Sequence, residues 1–113
     1  MDKGLIAGST TLLVLKLLEH KDMYGYQMIE ELAKKSDQTF HLKAGTLYPI
    51  LHGLEQNGMV TSYDEQADGG RLRKYYRLTS KGKGQLADKK QEWLKYAQAV
   101  QNILNEGATY ATH

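Results

Sequence analysis

The fold of this chain is decided by the stretch AGTLYPILHGLEQN, residues 44–57, and by Gly58 directly after it. Its apolar side chains have the i, i+3, i+4, i+7 spacing of one helix face; they are Leu47, Ile50, Leu51 and Leu54. Proline is tolerated only near a helix start, so Pro49 places the first turn close to residues 44–46. Gly58 is typical of a Schellman stop. The stretch therefore predicts an amphipathic helix.

The opposite face of this predicted helix is small and polar, with no acidic residue before Glu55. It carries Thr46, Tyr48, Pro49, His52 and Gly53, and Lys43 stands just before it. A helix that enters the major groove of DNA needs a compact face without negative charge, and its N-terminal N–H groups favour phosphate. The same face is also compatible with an ordinary surface helix that binds nothing.

Two more helices are expected on the N-terminal side. The dense leucine run from Ser9 to Glu19 predicts a buried central helix, with Ser9 or Thr10 as its cap. Residues 24–35 repeat the helical apolar spacing, with lysines and glutamates on the other side. Asp22 stands where an N-cap would stabilise this second helix.

A β-hairpin is expected on the C-terminal side. Residues 59–63 and 72–78 are rich in Val, Thr, Tyr and Leu, and the polar segment 65–70 between them ends in two glycines. We expect that segment to form a long, mobile tip. Tyr75 and Tyr76 point to opposite faces, so one of them is expected in the core.

Residues 80–106 predict a long amphipathic helix, capped by Thr79 or Ser80. Its heptad-like apolar stripe consists of Leu86, Trp93, Tyr96, Ala97, Val100, Ile103 and Leu104. The preceding elements already complete one core, so the stripe is expected to form a dimer interface. Trp93 is then a packing residue, or the wall of a ligand pocket between subunits, because flat aromatic and cationic ligands stack on Trp. Both readings are compatible.

The fold class expected from this order is mainly α with a small β-hairpin. Three helices and a hairpin form a winged helix-turn-helix, to which a long C-terminal helix is added. We expect a DNA-binding domain over residues 1–79, a dimerisation helix over 80–106 and a flexible tail over 107–113. The length of 113 residues fits one domain.

Composition excludes several function classes. The chain has no cysteine, which excludes disulfides, thiol catalysis and cysteine zinc sites. No two of its four histidines have a helical i, i+3 or i, i+4 spacing, and we expect neither a metal nor a cofactor. No nucleophile, base and acid stand out as a set, so an enzyme is not expected. The longest uncharged N-terminal run, Gly4–Leu15, is too short to cross a membrane, and a cytoplasmic protein is expected.

Basic residues are concentrated in one region. Six of them and no acid lie between Arg71 and Lys83, although the net charge is only +2. The hairpin carries Arg71, Arg73, Lys74 and Arg77. Long basic side chains on a wing reach phosphates or the minor groove of DNA. The alternative is a charged edge that prevents pairing between sheets, a role that Glu would serve equally.

Several stretches resemble the PadR family of transcriptional regulators. They are MYGYQMIEEL at 23–32, AGTLYPIL at 44–51, LEQNGMV at 54–60, RKYYRLT at 73–79 and KG at 81–82. The resemblance covers about residues 5–104, and the GTLYP motif preceded by YGY is its most specific part. Ala44 departs from the pattern, because many relatives have Ser or Pro there.

The resemblance implies a homodimer of winged-helix domains whose last helix pairs with its mate and with the N-terminal helix. It implies a repressor of nearby detoxification or efflux-transporter genes that binds double-stranded DNA at a pseudo-palindromic operator and is released by a small aromatic or hydrophobic effector. The single C-terminal helix is similar to the short subfamily, in which drug-like compounds bind at the dimer centre beside a Trp; Trp93 has a comparable place.

For individual residues, the resemblance implies that Thr46 and Tyr48 contact phosphates. It also implies that Lys43 and His52 approach bases or backbone, and that Gly25 allows a close helix approach. Two other functions stay open. One is a winged helix that docks onto a protein partner, and the other is a small-molecule sensor without DNA binding.

Overall fold

The computed structural model of this protein describes residues 3–106. Within them, four helices and three strands follow one another along the chain. They are α1 Lys3–His20, β1 Met23–Tyr24, α2 Gly25–Lys35, α3 Ala44–Gln56, β2 Val60–Gln66, β3 Leu72–Leu78 and α4 Ser80–Leu104. The mainly helical fold with a small antiparallel sheet and a long last helix is confirmed. The tail predicted over 107–113 lies outside the described residues.

Helix α1 begins at Lys3 instead of Ser9, so the predicted cap at Ser9 or Thr10 is wrong. No proline interrupts residues 3–8, and the helix continues through them. Thr10 lies inside the helix and is buried. The expected central position of α1 is confirmed, because its leucines and Val14 form a large part of the core.

Strand β1 is a feature that the sequence did not predict. Its two residues pair with β3, so the sheet has three antiparallel strands in the order β1-β3-β2 and the predicted hairpin is one part of it. A strand of two residues is too short to show the alternation of apolar and polar side chains by which a strand is recognised in a sequence. The N-cap of α2 is Tyr24, which makes no side-chain cap hydrogen bond, so the predicted cap at Asp22 is wrong.

Helix α3 begins at Ala44, as Pro49 indicated, but Pro49 itself lies in the second turn. Its ring replaces the N–H that would bond to the carbonyl of Gly45, an exposed residue. The C-terminal stop is confirmed as a Schellman motif. Gly58 has φ +74°, its N–H bonds to the Glu55 carbonyl, and the N–H of Met59 bonds to the Leu54 carbonyl.

In the wing formed by β2 and β3, the second strand has the expected bounds, but β2 is longer and the tip is shorter than expected. Strand β2 continues to Gln66, and a single turn of 3-10 helix at Asp68–Gly70 reverses the chain. Gly69 and Gly70 both have positive φ, which glycine adopts without strain. Acidic residues 64 and 65 lie opposite Lys74 and Arg73, and such cross-strand charge pairs favour continued pairing.

The core lies between the helices and the inner face of the sheet. Its buried members are Val14, Leu15, Leu17, Leu18, Met23, Met28, Leu32, Leu47, Leu51, Leu54, Val60, Tyr76, Leu78 and Leu86. Tyr76, and not Tyr75, is the buried tyrosine of β3. The cap of α4 is confirmed at Thr79, whose hydroxyl accepts a hydrogen bond from the Gly82 N–H at 3.0 Å.

Helix α4 leaves this core after its first turns. Gly82 and Leu86 are its buried residues, and α4 contacts α1 and β3 there. A Cβ atom at Gly82 would overlap the backbone carbonyl oxygen of Met59 and lie 3.1 Å from its carbon, so only glycine allows this close packing. The molecule is elongated, with Cα extents of 66 × 28 × 22 Å.

Candidate nucleic-acid interface

The exposed face of α3 is polar and has no acid near its start. Because the apolar side of the helix is buried in the core, the opposite side faces solvent. The predicted contacts on this side are all exposed: Lys43, Thr46, Tyr48 and His52. Within the described structure, the first turn of α3 has neither an acidic residue nor a side-chain cap. Its N-terminal N–H groups are therefore suited to an anion.

Glu55 is the first acid along α3, and its charge has a partner. Its carboxylate accepts a hydrogen bond from the hydroxyl of Ser62 on β2. Both side chains are partly buried, and the contact joins the helix to the wing. The negative charge of Glu55 is therefore held at the junction of α3 and β2.

Tyr48 lies across the start of α2 and contacts Gly25. A Cβ atom at position 25 would lie 2.6 Å from Cζ of Tyr48, so a side chain there would overlap the phenol ring. Gly25 is buried, whereas Tyr48 remains 40% exposed. The expected close approach at Gly25 is confirmed, and the group that approaches is the ring of Tyr48.

Three of the four predicted wing cations form no ion pair within the described structure, although Glu65 and Asp64 lie opposite Arg73 and Lys74 in the sheet. The guanidinium carbon of Arg73 lies 4.3 Å from the ring centroid of Tyr24, and Nζ of Lys74 lies 5.9 Å from that of Tyr76. Among the described residues, neither they nor Arg71 form an ion pair. A cation above an aromatic ring retains its positive charge, so all three can attract an anion.

A groove with a volume of about 390 Å³ brings these features together. It is lined by Tyr48 from α3, by the wing residues Arg71, Arg73 and Lys74, and by Tyr24, Gly25, Tyr26 and Glu30. The other predicted contacts of α3, Lys43, Thr46 and His52, lie outside this lining. One side of the groove is thus the recognition helix of the predicted fold, and another side is the wing.

Arg77, the fourth predicted wing cation, differs from the other three because its charge is paired within the chain. Its Nε donates a hydrogen bond to Oδ2 of Asp22 at 3.0 Å, and the hydroxyl of Tyr63 donates to the same oxygen at 2.7 Å. These hydrogen bonds to Asp22 raise the pKa of Arg77 and the pKa of Tyr63. Arg77 therefore stabilises the base of the wing, and we leave it out of the proposed interface.

The apolar stripe predicted on α4 divides into a buried part and an exposed part. Leu86 is only 4% exposed and packs in the core, so it is not part of an open face as predicted. Ala97 is half-buried. The exposed members are Trp93, Tyr96, Val100, Ile103 and Leu104, and Leu94 adjoins them. The rings of Trp93 and Tyr96 meet edge to face with centroids 5.9 Å apart.

The start of α2 is the part of this site that the sequence reasoning missed. Tyr24, Tyr26 and Glu30 line the groove but were not among the predicted contacts. A signal was present, because tyrosines flank Gly25 on both sides and Tyr26 is on the exposed side of an otherwise regular helix. Only the fold shows that these residues lie beside the wing.

The described part of the chain has neither a membrane-spanning helix nor a cluster of metal ligands. None of the helices between residues 3 and 106 has the length and apolar character that a membrane span requires. The side chains described there also include no group of three or more His, Asp or Glu placed to hold a metal ion.

The sequence profile of the transcriptional regulator PadR-like family matches residues 14–88. Two curated proteins are similar to this chain over most of their length. An uncharacterized protein from Lysinibacillus sphaericus is 34% identical over 103 residues, covering 91% of this chain and 94% of its own. A transcriptional regulator from Mycobacterium tuberculosis is 32% identical over 89 residues, covering 76% of this chain and 79% of its own.

Solved structures show the same similarity. A transcriptional regulator from Clostridium thermocellum superposes with a TM-score of 0.81 at 30% identity, covering 88% of this chain and 97% of its own. A PadR family transcription regulator from Clostridium difficile superposes with a TM-score of 0.72 at 37% identity, covering 85% of this chain and 98% of its own. The profile match spans α2, α3, the groove and the wing, together with the end of α1 and the start of α4. This chain therefore belongs to the PadR-like family of transcriptional regulators.

Proposed function

We propose that this PadR-like regulator is a homodimeric, sequence-specific DNA-binding repressor. It blocks transcription of nearby detoxification or efflux-transporter genes until a small aromatic or hydrophobic ligand releases it. The family membership supports regulation through DNA. The observation that carries the proposal for this chain is the groove in which Tyr48 of α3 and three unpaired wing cations meet.

The groove suits the sugar-phosphate backbone of one DNA strand. If α3 enters the major groove, the strand beside it passes next to the wing, where Arg71, Arg73 and Lys74 supply positive charge. Thr46 and His52 are then left on the exposed face of α3, directed at base edges or at the opposite strand. Lys43 adds charge at the start of the helix, where the N–H groups also favour phosphate.

The exposed apolar residues of α4 support the homodimer. From Trp93 to Leu104 they extend over ~17 Å of helix at 1.5 Å per residue. Monomeric proteins rarely expose a continuous apolar stripe of this kind, and a second copy offers a stripe of the same spacing. A two-fold dimer places two recognition helices in successive major grooves about 34 Å apart, which matches a pseudo-palindromic operator.

Ligand release is proposed to act at the same stripe. Trp93 and Tyr96 offer ring faces to an aromatic compound enclosed between two copies of α4. Such a ligand changes DNA affinity only if it binds one spacing of the recognition helices more tightly than another. The expected result of saturating effector is therefore weaker operator binding together with a changed spacing between subunits.

Fluorescence anisotropy with a labelled duplex from directly upstream of the gene tests the proposal. We expect preferential binding over a scrambled duplex and a steep fall in affinity with salt. Replacing Arg71, Arg73 and Lys74 by Ala should lower the salt slope by about six units, because each lost phosphate contact lowers it by about one and the proposed dimer carries three such cations on each of two wings. Arg77→Ala is the matched control and should leave the slope nearly unchanged.

The outcomes also separate the alternatives. Equal, weak binding of both duplexes, combined with capture of a protein partner, would favour a docking module. A Trp93 fluorescence response to aromatic compounds without DNA binding would favour a sensor. An unchanged salt slope in the triple variant would contradict the role proposed for the wing.

A further inference from the structure

We infer that the dipeptide Tyr24–Gly25 positions α3 and the wing relative to each other, so that both contact DNA at once. The inference rests on the proposed DNA binding and extends it to two residues without charge. Gly25 leaves the space that the ring of Tyr48 of α3 occupies, and the ring of Tyr24 supports the guanidinium of Arg73 on the wing.

Gly25 positions Tyr48 by leaving room for it. A Cβ atom at position 25 would overlap Cζ of the phenol ring, as shown above, and would lie 3.0 Å from Cε1. The overlap involves the far end of a partly exposed side chain, which can rotate into solvent. A side chain at position 25 is therefore expected to displace Tyr48 from the groove while the domain stays folded.

Tyr24 positions Arg73 by stacking. The guanidinium lies 4.3 Å from the centroid of the Tyr24 ring, and that ring meets Tyr75 edge to face at 5.4 Å. Tyr75 in turn stacks on Tyr63, with centroids 5.7 Å apart and planes 15° apart. The three rings cross the outer face of the sheet from β1 to β2. Arg73 is therefore held over the groove by a ring that is itself supported.

The two contacts are linked because the residues are neighbours at one junction. Tyr24 ends β1 and is the N-cap of α2, and Gly25 begins α2. Any change in the position of this junction moves the supports of Tyr48 and Arg73 together. The width of the groove is thus set by an uncharged element that touches both of its walls.

The first test is a double-mutant cycle on DNA affinity. The probe is a labelled duplex of mixed sequence at low salt, because phosphate contacts do not depend on sequence. Gly25→Ala should weaken binding about tenfold when Tyr48 is present. A loss of this size is expected when a hydrogen bond from the Tyr48 hydroxyl to a charged phosphate is removed. In a Tyr48→Ala background the same change should weaken binding less than about twofold. Equal losses in both backgrounds, or none in either, would overturn this half of the inference.

The second test compares Tyr24→Leu with Tyr24→Phe. Phe keeps the ring under Arg73 and should bind as the unchanged protein does. Leu removes the ring and should lower both the affinity and the salt slope, the latter by about two units for the proposed dimer, because Arg73 of each subunit loses its position at a phosphate. If both variants bind normally, or both lose affinity equally, stacking does not position Arg73.

A measurement without DNA separates this inference from the proposed function. Nuclear magnetic resonance of the free protein should show ring-current shifts of the Arg73 side chain that are kept in Tyr24→Phe and lost in Tyr24→Leu. Unshifted Arg73 signals would overturn the inference alone. Failure of the unchanged protein to bind the duplex would overturn the proposed function and this inference together. Each variant should unfold at the same temperature as the unchanged protein, so that a loss of DNA affinity reports the changed position of Tyr48 or Arg73 and not a loss of folding.

Discussion

The two ends of α4 share one apolar spacing but have different surroundings. Leu86, near the start, is buried among residues of α1 and the sheet, whereas Val100 is 38% exposed and Ile103 and Leu104 are each 71% exposed. All of them belong to one heptad-like pattern. The comparison teaches that such a pattern indicates that a packing surface exists, but not whether that surface is in the same chain. The predictions below test this division.

Val100→Asp is expected to have the largest effect. In the proposed dimer the new carboxylate would be buried in the interface without a partner, and an uncompensated buried charge typically costs about 3–5 kcal/mol. We expect the dimer to dissociate into folded monomers, as measured by sedimentation and circular dichroism. Gln98→Asp, an exposed position on the opposite side of α4, is the control and should remain dimeric. A stable Val100→Asp dimer would show that the stripe is not the interface.

Leu86→Ala should instead destabilise the domain itself. Removal of a buried leucine side chain lowers the free energy of unfolding by about 2–5 kcal/mol. Chemical denaturation at one fixed protein concentration measures the loss, and Leu72→Ala, at an exposed position of the wing away from α4, is the matched control. If Leu86→Ala changed only the dimer dissociation constant, the division of the stripe described here would be wrong.

Trp93→Ala should affect ligand binding more than folding. The ring is 44% exposed within one chain, so its removal leaves no large cavity in the core. We expect binding of a planar cationic aromatic dye, followed by calorimetry, to weaken about tenfold, consistent with loss of an aromatic stacking contact. The midpoint of thermal unfolding should change little. Equal losses of dye binding and stability would mean that Trp93 is a packing residue of the dimer.

The smallest effect is expected on stability at alkaline pH, at the hydrogen bond between Tyr63 of the wing and Asp22. The hydrogen bond that Tyr63 donates to Asp22 raises the pKa of Tyr63 above its ordinary value of 10.0. Its stabilising contribution is therefore complete below about pH 10 and is lost as the pH rises through the raised pKa. Titration of the Tyr63 ring signals should show a lower pKa in Asp22→Ala. An unchanged value would contradict the contact with Asp22.

Much of the helical core could be predicted from periodicity. The predicted inward positions of α3 are buried or partly buried in the structure, and the start of α3 and its Schellman stop were inferred correctly from Pro49 and Gly58. These features depend on contacts between residues a few positions apart. The start of α1 and strand β1 were not predicted, because the dense leucine run that marks α1 in the sequence begins well after Lys3, and a strand of two residues leaves no local pattern.

The candidate site was only partly predictable, because its charges are balanced across the fold. Counting along the chain found six basic residues without an acid between Arg71 and Lys83. The structure places Asp64 and Glu65 on the strand opposite, and it pairs Arg77 with Asp22 from before β1. Electrostatic partners are selected by distance in space. A count along the chain therefore could not show that Arg77 forms an ion pair while Arg73 does not.

The sequence alone determined the order of the helices and the hairpin, the inward faces of α2 and α3, and the family, because these depend on periodicity, on glycine and proline, and on local motifs. Tertiary structure decided which cations stay free, that Tyr48 lies against Gly25, and where α4 leaves the core. The physical reason is that side-chain position and burial depend on contacts between segments distant along the chain. Those contacts exist only after the sheet and helices have packed.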